Sequence, residues 1–377
     1  MNFLKAIQRV SQITGQRREG SFAELPESIE CLSDACQAPR IYMVYRASLA
    51  KKILADSRFH QAQFLAPILS LCDEESTRHI RFFIDFNPAF LNADRHAAQV
   101  EIIQQPFALC EDAIRDLDIS VLLDAINPLL DGSGGLTAHQ VGIALVGRLI
   151  RYCLEAVSGV DPPLDNKEVF AVDIFQPFAK RSHLVRCNTI LDVLIGAIEN
   201  HPERQSPLSD PERLAVLTLL MMGATPLLAV ATALLNAVVS SADPADLRAS
   251  LSSLSNGYSM LPTNFVMREC VVPHDILGHP LDVGDTCYVF LGDVSGCPFS
   301  SSLKLPLGYG NHYCKGAGLA KVVTARIQEL LLLRTEEIRE HVCASPVQVG
   351  PASAFLKYSE ASLPALISGL VNNAQPH

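Results

Sequence analysis

The stretch LGYGNHYCKGAGLA, residues 307–320, decides how the rest of the chain is interpreted. Glycines and a histidine crowd a single cysteine, Cys314, and an apolar run from Lys321 to Leu333 follows at once. A helix that begins just after Cys314 would bring free N–H groups and a positive dipole end close to its sulfur, which favours a thiolate. A thiolate held in this way is a soft ligand for iron. The stretch therefore predicts a ligand loop.

The glycines of this stretch point to the same kind of site. Gly308, Gly310 and Gly316 can all adopt positive φ angles, and without a Cβ they let the backbone approach a flat partner closely. We expect all three glycines to serve the ligand loop in this way.

This stretch resembles the haem-binding loop of the cytochromes P450, whose pattern is Phe-Gly-x-Gly-x-His-x-Cys-x-Gly. Residues 307–316 match it at every defined position except the first, where Leu307 replaces the aromatic residue. The resemblance implies haem b as the cofactor and the Cys314 thiolate as the proximal iron ligand. It also implies that Leu307, Gly308, His312 and Gly316 help to bind the haem.

Length and composition exclude several other classes of protein. The chain has 377 residues, of which 49% are apolar and 19% charged, so it can bury a large core. Its net charge of -10 argues against a nucleic-acid surface. The eleven cysteines show no zinc pattern. Residues 1–15 are amphipathic and lack the apolar core of a signal peptide, so we expect a cytoplasmic protein with reduced thiols that does not enter a membrane.

The first part of the chain predicts a loose cover followed by a strand and a helix. Residues 1–36 are polar and punctuated by glycine and proline. Residues 41–45 form a strand pattern, and Ser48 is expected to cap a helix over residues 49–55. This strand-turn-helix also resembles the early part of bacterial P450s. Residues 60–90 are expected to be irregular and, by the resemblance, to form a phenylalanine-rich wall over the substrate.

The resemblance also implies partners for the haem propionates. P450s carry a histidine near the start of one helix, followed four positions later by an arginine. His96 falls on that histidine, but Val100 stands at the position of the arginine. Arg268, on a strand further along the chain, is the expected second partner, with His312 of the ligand loop as another.

The segment 210–241 predicts one long apolar helix, which occupies the place of P450 helix I. That helix usually carries Ala-Gly-x-(Asp/Glu)-Thr, an acid and an alcohol that deliver protons during the reaction. Here Gly223 is kept, Thr225 replaces the acid and Pro226 replaces the alcohol. We expect Pro226 to kink the helix, and the resemblance implies that Gly223, Ala224, Thr225 and Pro226 line the distal face.

Other P450 features are changed or shortened. Ser255 and Tyr258 stand where the buried Glu-x-x-Arg pair is expected, so both members of the pair are replaced together. The span from residue 292 to 307 is short and leaves little room for the segment that shapes the face of an electron donor. Residues 272–289 predict a hairpin with glycine turns, and residues 351–367 a last hairpin near the substrate pocket.

Together these observations predict one mainly α domain over residues 1–377 with a small β region, the cytochrome P450 fold. Three functions remain open. The first is a monooxygenase-type oxidoreductase that acts on a small, largely apolar metabolite of secondary metabolism and receives electrons from a ferredoxin-type donor. The second is a peroxygenase, dehydratase or isomerase that needs no reductase. The third is a degenerate P450-like protein without catalysis.

Overall fold

A computed structural model gives the fold. It describes residues 5, 8, 9, 12, 29–33, 39–63, 65–132, 135–171, 180–200, 210–241, 243, 246–251, 265–291, 305 and 307–346. Four predictions lie outside these residues in whole or in most part: the N-terminal cover, the Ser255 and Tyr258 pair, the short span before the ligand loop, and the last hairpin.

Helices form most of the described structure. In chain order they are α1 (Ala47–Ala55), α2 (Ala66–Leu69), α3 (Arg78–Phe86), α4 (Ala93–Asp116), α5 (Ser120–Leu130), α6 (Ala138–Ser158), α7 (Arg181–Glu199), α8 (Asp210–Ser240), α9 (Ala317–Leu333) and α10 (Thr335–His341). The long helix α8 packs along α6 and also contacts α3, α4, α9 and α10. It is therefore the central helix of the molecule.

The strands are short and gather mainly into one sheet. They are β1 (Ile29–Cys31), β2 (Ile41–Val44), β3 (Phe59–Gln61), β4 (Leu136–Thr137), β5 (Phe265–Cys270), β6 (His274–Ile276), β7 (His279–Leu281), β8 (Thr286–Phe290) and β9 (Val342–Cys343). Five of them form a sheet in the order β1-β2-β8-β5-β3, in which only β2 and β8 pair in parallel. The pairing of β3 with β5 places Gln61 opposite Arg268.

The buried apolar residues form two clusters. The larger cluster joins the helices α3 to α10 and the chain around them. The smaller cluster packs α1 against the five-stranded sheet and includes Leu54 and Leu305. The mainly α fold with a small β region, predicted from the sequence, is confirmed.

Two local predictions near the N-terminus were wrong. Helix α1 begins at Ala47, with Arg46 as its N-cap and no side-chain cap, so Ser48 lies inside the helix. Residues 60–90 are not irregular, because they include β3, α2 and the nine-residue helix α3. Helix α3 has one strongly apolar face, which buries Ile80 and Phe83. The sequence analysis missed this helical periodicity because the segment contains many phenylalanines.

Two predictions for the middle of the chain, the long helix and the hairpin before β8, agree with the structure. Helix α8 runs from Asp210 to Ser240 and continues through Pro226. Residues 274–281 form a hairpin, with positive φ angles at Leu277 and Gly278. The segment Leu219–Ser240 is long and apolar enough to cross a membrane, but most of it is buried inside the protein. Packing against the other helices therefore accounts for its hydrophobicity.

Candidate active site

The ligand loop is closed by its own backbone. The N–H of Cys314 donates to the carbonyl of Leu307 at 2.8 Å, and the N–H of Tyr313 donates to the carbonyl of Gly310 at 3.0 Å. Gly308 and Gly310 have φ angles of 76° and 70°, in the left-handed region that favours glycine. The two positive φ angles expected at these positions are therefore present.

The three glycines nevertheless have different roles. A Cβ on Gly310 would lie 2.6 Å from the carbonyl oxygen of Leu54, so this glycine lets the loop pack against the end of α1. Gly316 does not have a positive φ: its φ is −85°, and it is the N-cap of α9. That expectation was wrong. A Cβ on Gly316 would lie 3.3 Å from the ring of Phe107 and 4.0 Å from the sulfur of Cys314. Glycine therefore fits this position because it has no side chain.

The Cys314 side chain opens into a cavity. Protein atoms surround its sulfur on most sides. The side chain is still accessible to solvent, because it lines the cavity. Burial raises the pKa of the Cys314 thiol, and this effect is opposed by a hydrogen bond from the Gly316 N–H and by the charge of Lys315. The N–H group and the positive charge are the features that would stabilise a thiolate bound to a metal.

The cavity lies between the ligand loop, α8, α4 and the end of the sheet, and it has a volume of about 290 Å³. Most of its wall is apolar. The apolar lining residues include Phe107, Ile150, Leu219, Leu220, Met222, Leu227, Val230, Phe265, Val266, Leu291 and Leu319. Such a wall excludes water and favours flat or apolar occupants.

One side of the cavity carries basic residues. The Arg268 guanidinium is 4% exposed and donates to the side-chain oxygen of Gln61 and, at 2.9 Å, to the carbonyl of Met267. Burial lowers the pKa of Arg268 to about 10. Within the described part of the chain, no carboxylate forms an ion pair with Arg268, so this buried cation has only neutral partners.

His96 and His312 meet beside this arginine. Their ring centroids are 4.4 Å apart. Burial lowers the pKa of His312 to about 3, and the charges of Arg268 and Lys315 contribute in the same direction. Burial and the same two cations also lower the pKa of His96. We call Arg268, His96, His312 and Lys315 the basic cluster.

The basic cluster and Cys314 fit a haem. A buried guanidinium without a carboxylate partner is costly, and an anionic group in the cavity would relieve that cost. Haem b carries two propionates, and its iron accepts a thiolate ligand. Cys314 would hold the iron, and Arg268, His96 and His312 would hold the propionates. Val100, at the position of the usual arginine, does not line the cavity, whereas Lys315 does.

Helix α8 presents only part of its predicted motif to the cavity. Gly223 and Pro226 line the cavity together with Met222, Leu227 and Val230, which share one face of the helix. Ala224 is buried, Thr225 is partly buried, and neither lines the cavity. The expectation that all four motif residues line the distal face was therefore wrong for these two, because the helical period of 3.6 residues turns them to other faces.

The sequence analysis did not single out three cavity residues, although Gln61 and Asn87 lie within the segment 60–90 that was expected to form a wall over the substrate. Gln61 holds Arg268, Asn87 lies at the end of α3, and Lys315 follows Cys314. No motif marks Gln61 or Asn87, since their positions depend on strand pairing and on the packing of α3 against α8. The charge of Lys315 inside an otherwise apolar and glycine-rich loop is the one signal that could have been used.

Comparisons with known proteins agree with this geometry. No protein-family model matches the sequence, and no curated protein matches it. Among solved structures, P450BioI in complex with an acyl carrier protein ligated to hexadec-9Z-enoic acid is 16% identical, with a TM-score of 0.61 over 95% of this chain and 97% of that chain.

Two further solved structures are similar to the same degree. The mycinamicin VIII C21 methyl hydroxylase MycCI from Micromonospora griseorubida is 14% identical, with a TM-score of 0.58 over 92% of this chain and 94% of that chain. The bacillaene polyketide synthase cytochrome P450 PksS of Bacillus subtilis 168 is 13% identical, with a TM-score of 0.58 over 94% and 97%. At such low identity the likeness establishes a shared fold.

Proposed function

We propose that this chain, which has the cytochrome P450 fold, is a haem-thiolate oxidoreductase that oxidises a small, largely apolar metabolite. The observation that carries the proposal is Cys314, which lines an apolar cavity beside a buried Arg268 that has no carboxylate partner among the described residues. A thiol can bind the iron of haem b as a thiolate, and a buried cation can pair with one of its propionates.

Each part of the cavity has a task in this proposal. When bound, the haem supplies the redox chemistry of the reaction. Cys314 holds the iron, and the basic cluster fixes the orientation of the ring through its propionates. The apolar side chains of α4, α8 and β5 keep water away from the reacting substrate, which strengthens every electrostatic interaction inside the cavity. Gly223 leaves open space on α8, since a Cβ there meets nothing within 4 Å.

A second candidate is an enzyme of the same fold that needs no electron donor, such as a peroxygenase, a dehydratase or an isomerase. The observation in its favour is the cavity face of α8, where the described lining residues include no acid and no alcohol. Pro226 stands on that face, and Thr225 is turned away from it. Among its described lining residues, α8 has no side chain that can deliver protons. A reaction of a substrate that already carries an O–O or N–O bond depends less on such proton delivery.

The decisive experiment is an absorption spectrum of the purified protein, reduced with dithionite, with and without carbon monoxide. We expect the red-shifted Soret band of a haem-thiolate protein, and we expect Cys314→Ala to abolish it. Cys343→Ala is the matched control, because Cys343 is also exposed but lies on β9. An unshifted band, no haem in the wild type, or an unchanged spectrum in Cys314→Ala would contradict the proposal and favour a non-catalytic P450-like protein.

The oxidant is tested on the same preparation. Turnover that depends on a ferredoxin-type donor supports the monooxygenase, and turnover that depends on hydrogen peroxide supports the second candidate. A cytoplasmic location and a role in secondary metabolism complete the proposal. The role is suggested by the mycinamicin and bacillaene proteins among the structural neighbours.

A further inference from the structure

Asn87 is a buried amide on the cavity wall. It is the C-cap of α3, its side chain is fully buried, and it lines the cavity. Apart from the basic cluster with its partner Gln61, and the ligand loop with helix α9 that follows it, Asn87 is the one polar side chain among the described lining residues. A polar group at such a position needs a hydrogen-bonding partner.

Three of the four hydrogen-bonding groups of Asn87 have good partners. Its backbone N–H donates to the carbonyl of Phe83 at 2.8 Å, and its backbone carbonyl accepts from the N–H of Phe90 at 2.9 Å. Its side-chain oxygen Oδ1 accepts from the N–H of Ala89 at 2.8 Å. This last bond fixes which way the amide faces, because only the oxygen can accept it.

The remaining group, the NH₂ of the side chain, has a poor partner. Among the described residues it faces only the sulfur of Met222, at 3.9 Å. A thioether sulfur is a weak acceptor, so a buried donor with two hydrogens is left almost without a hydrogen bond. Met222 itself lines the cavity from helix α8. The unused donor therefore lies behind the flexible Met222 side chain, and an occupant of the cavity can reach it when that side chain moves aside.

We propose that Asn87 determines substrate specificity by donating a hydrogen bond from its side-chain NH₂ to a carbonyl oxygen of an otherwise apolar substrate. This inference rests on the proposed function and names the substrate class. A carbonyl fits better than an alcohol, since the hydrogen of an alcohol would itself need an acceptor and Met222 offers only sulfur. A carboxylate fits worse, because the described lining residues of α8 and of the chain after α3 include no cation to pair with its charge.

The test compares two ligands that have nearly the same shape and differ in the carbonyl oxygen. The probes are 4-phenylcyclohexanone and 1-methylene-4-phenylcyclohexane, in which a CH₂ group replaces the carbonyl oxygen. Dissociation constants are measured by isothermal titration calorimetry on the purified full-length protein, and by the change in the Soret band where haem is bound. Calorimetry measures ligand binding without depending on haem chemistry. A missing haem-thiolate spectrum would therefore contradict the proposed function, whereas an unchanged ratio of dissociation constants would contradict this inference.

The matched variant is Asn87→Ser. The serine hydroxyl can still accept from the Ala89 N–H, as in the turns that serine forms locally, but it places no NH₂ group near Met222. The preference of the wild type for the ketone over the alkene, taken as a ratio of dissociation constants, is expected to fall by about tenfold in Asn87→Ser. Met222→Leu removes the sulfur and keeps the amide, so it should retain the preference.

Two outcomes would overturn the inference. The first is an equal ratio in wild type and Asn87→Ser, whether or not both ligands bind more weakly to the variant, which would mark Asn87 as a structural residue only. The second is that neither probe binds at concentrations up to its solubility limit, which would rule out this wall as a site for apolar carbonyl compounds. If Asn87→Ser does not fold, Asn87→Gly is used; it also lacks the NH₂ group, and the same ratio decides.

Discussion

At the scale of single residues, Arg268 is a cation whose burial costs free energy in the protein without a ligand. Its guanidinium is buried with Gln61 and the Met267 carbonyl as partners, and burial lowers its pKa to about 10. The charged form of Arg268 is thus disfavoured by the fold that holds it. In the proposed function, a haem propionate would supply the anionic partner that Arg268 lacks among the described residues.

The first prediction concerns this residue. Arg268→Met keeps the length of the side chain and removes the charge. We expect the affinity of the haem-free protein for hemin to fall by about tenfold or more, since a charge-assisted hydrogen bond contributes ~1.5–3 kcal/mol. We expect the free energy of unfolding of the haem-free protein to stay equal or to rise by ~1 kcal/mol, because the buried charge is gone. Soret titration and urea denaturation measure the two quantities.

The control for this prediction is Arg115→Met. Arg115 is exposed and pairs with Asp112 on the surface, so its removal should change neither hemin affinity nor stability by much. A variant Arg268→Met that binds hemin as well as the wild type, or that is destabilised by more than ~2 kcal/mol without its ligand, would show that the arginine is structural.

At the scale of elements, helix α8 separates residues that stand side by side in the sequence. Gly223 and Pro226 line the cavity, whereas Ala224 and Thr225 lie on other faces. Successive residues on a helix are about 100° apart, so the four residues 223–226 are spread over most of the circumference of α8. The acid position of the P450 motif is thus filled here by a threonine that is turned away from the cavity.

The second prediction follows from this arrangement. Thr225→Ala should change turnover only modestly, because Thr225 does not reach the cavity. Hydrogen-peroxide-dependent oxidation of guaiacol by the haem-loaded protein is the measurement. A fall of about a hundredfold, the scale of a lost general acid, would contradict the assignment of Thr225 to another face.

Gly223→Val is the comparison variant on the same helix. A side chain at Gly223 enters open space at the cavity, so the valine should weaken the binding of 4-phenylcyclohexanone by about tenfold or more through direct exclusion. Thr225→Ala should leave that binding unchanged. Equal effects of the two substitutions would contradict the placement of Gly223 at the cavity and of Thr225 on another face of α8.

At the scale of the whole molecule, the ligand loop joins the two hydrophobic clusters. Its end continues into α9, whose Leu319 and Val323 belong to the helical cluster. Its glycine turn packs against the end of α1, which belongs to the cluster around the sheet. The position of Cys314 therefore depends on the contact between these two halves of the protein and not only on the loop itself.

The third prediction tests this contact. Gly310→Ala places a methyl group 2.6 Å from the backbone oxygen of Leu54 and requires a φ of 70° that alanine adopts poorly. Overpacking and the strained backbone together should lower the free energy of unfolding by ~2–4 kcal/mol. Hemin affinity should fall as well, because the loop must move to relieve the overlap. Urea denaturation and Soret titration are the measurements.

Gly318→Ala is the matched control. The three atoms nearest to a Cβ there belong to the carboxylate of Glu111, which is the far end of a flexible side chain and can move aside. We expect less than ~1 kcal/mol of destabilisation from this substitution. Similar losses from both substitutions would mean that the contact of Gly310 with α1 has no special importance.

The sequence by itself determined the features that depend on neighbours in the chain. The spacing of residues 307–316 predicted the ligand loop, and apolar periodicity predicted the long helix α8 almost to its ends. The hairpin of residues 274–281 was also predicted, because turn chemistry is local. The N-cap of α1 was missed, since Arg46 makes no side-chain cap and no propensity rule selects it.

Only the tertiary structure decided which side chains share the cavity. His96 meets His312, Gln61 holds Arg268, and the amide of Asn87 is left with a thioether sulfur, and each of these contacts joins segments far apart in the chain. Hydrophobic burial fixes which face of each helix turns inward, but the final set of neighbours depends on how all the elements pack together. For this reason the ligand loop could be predicted from one stretch of sequence, whereas the set of side chains around the cavity required the fold.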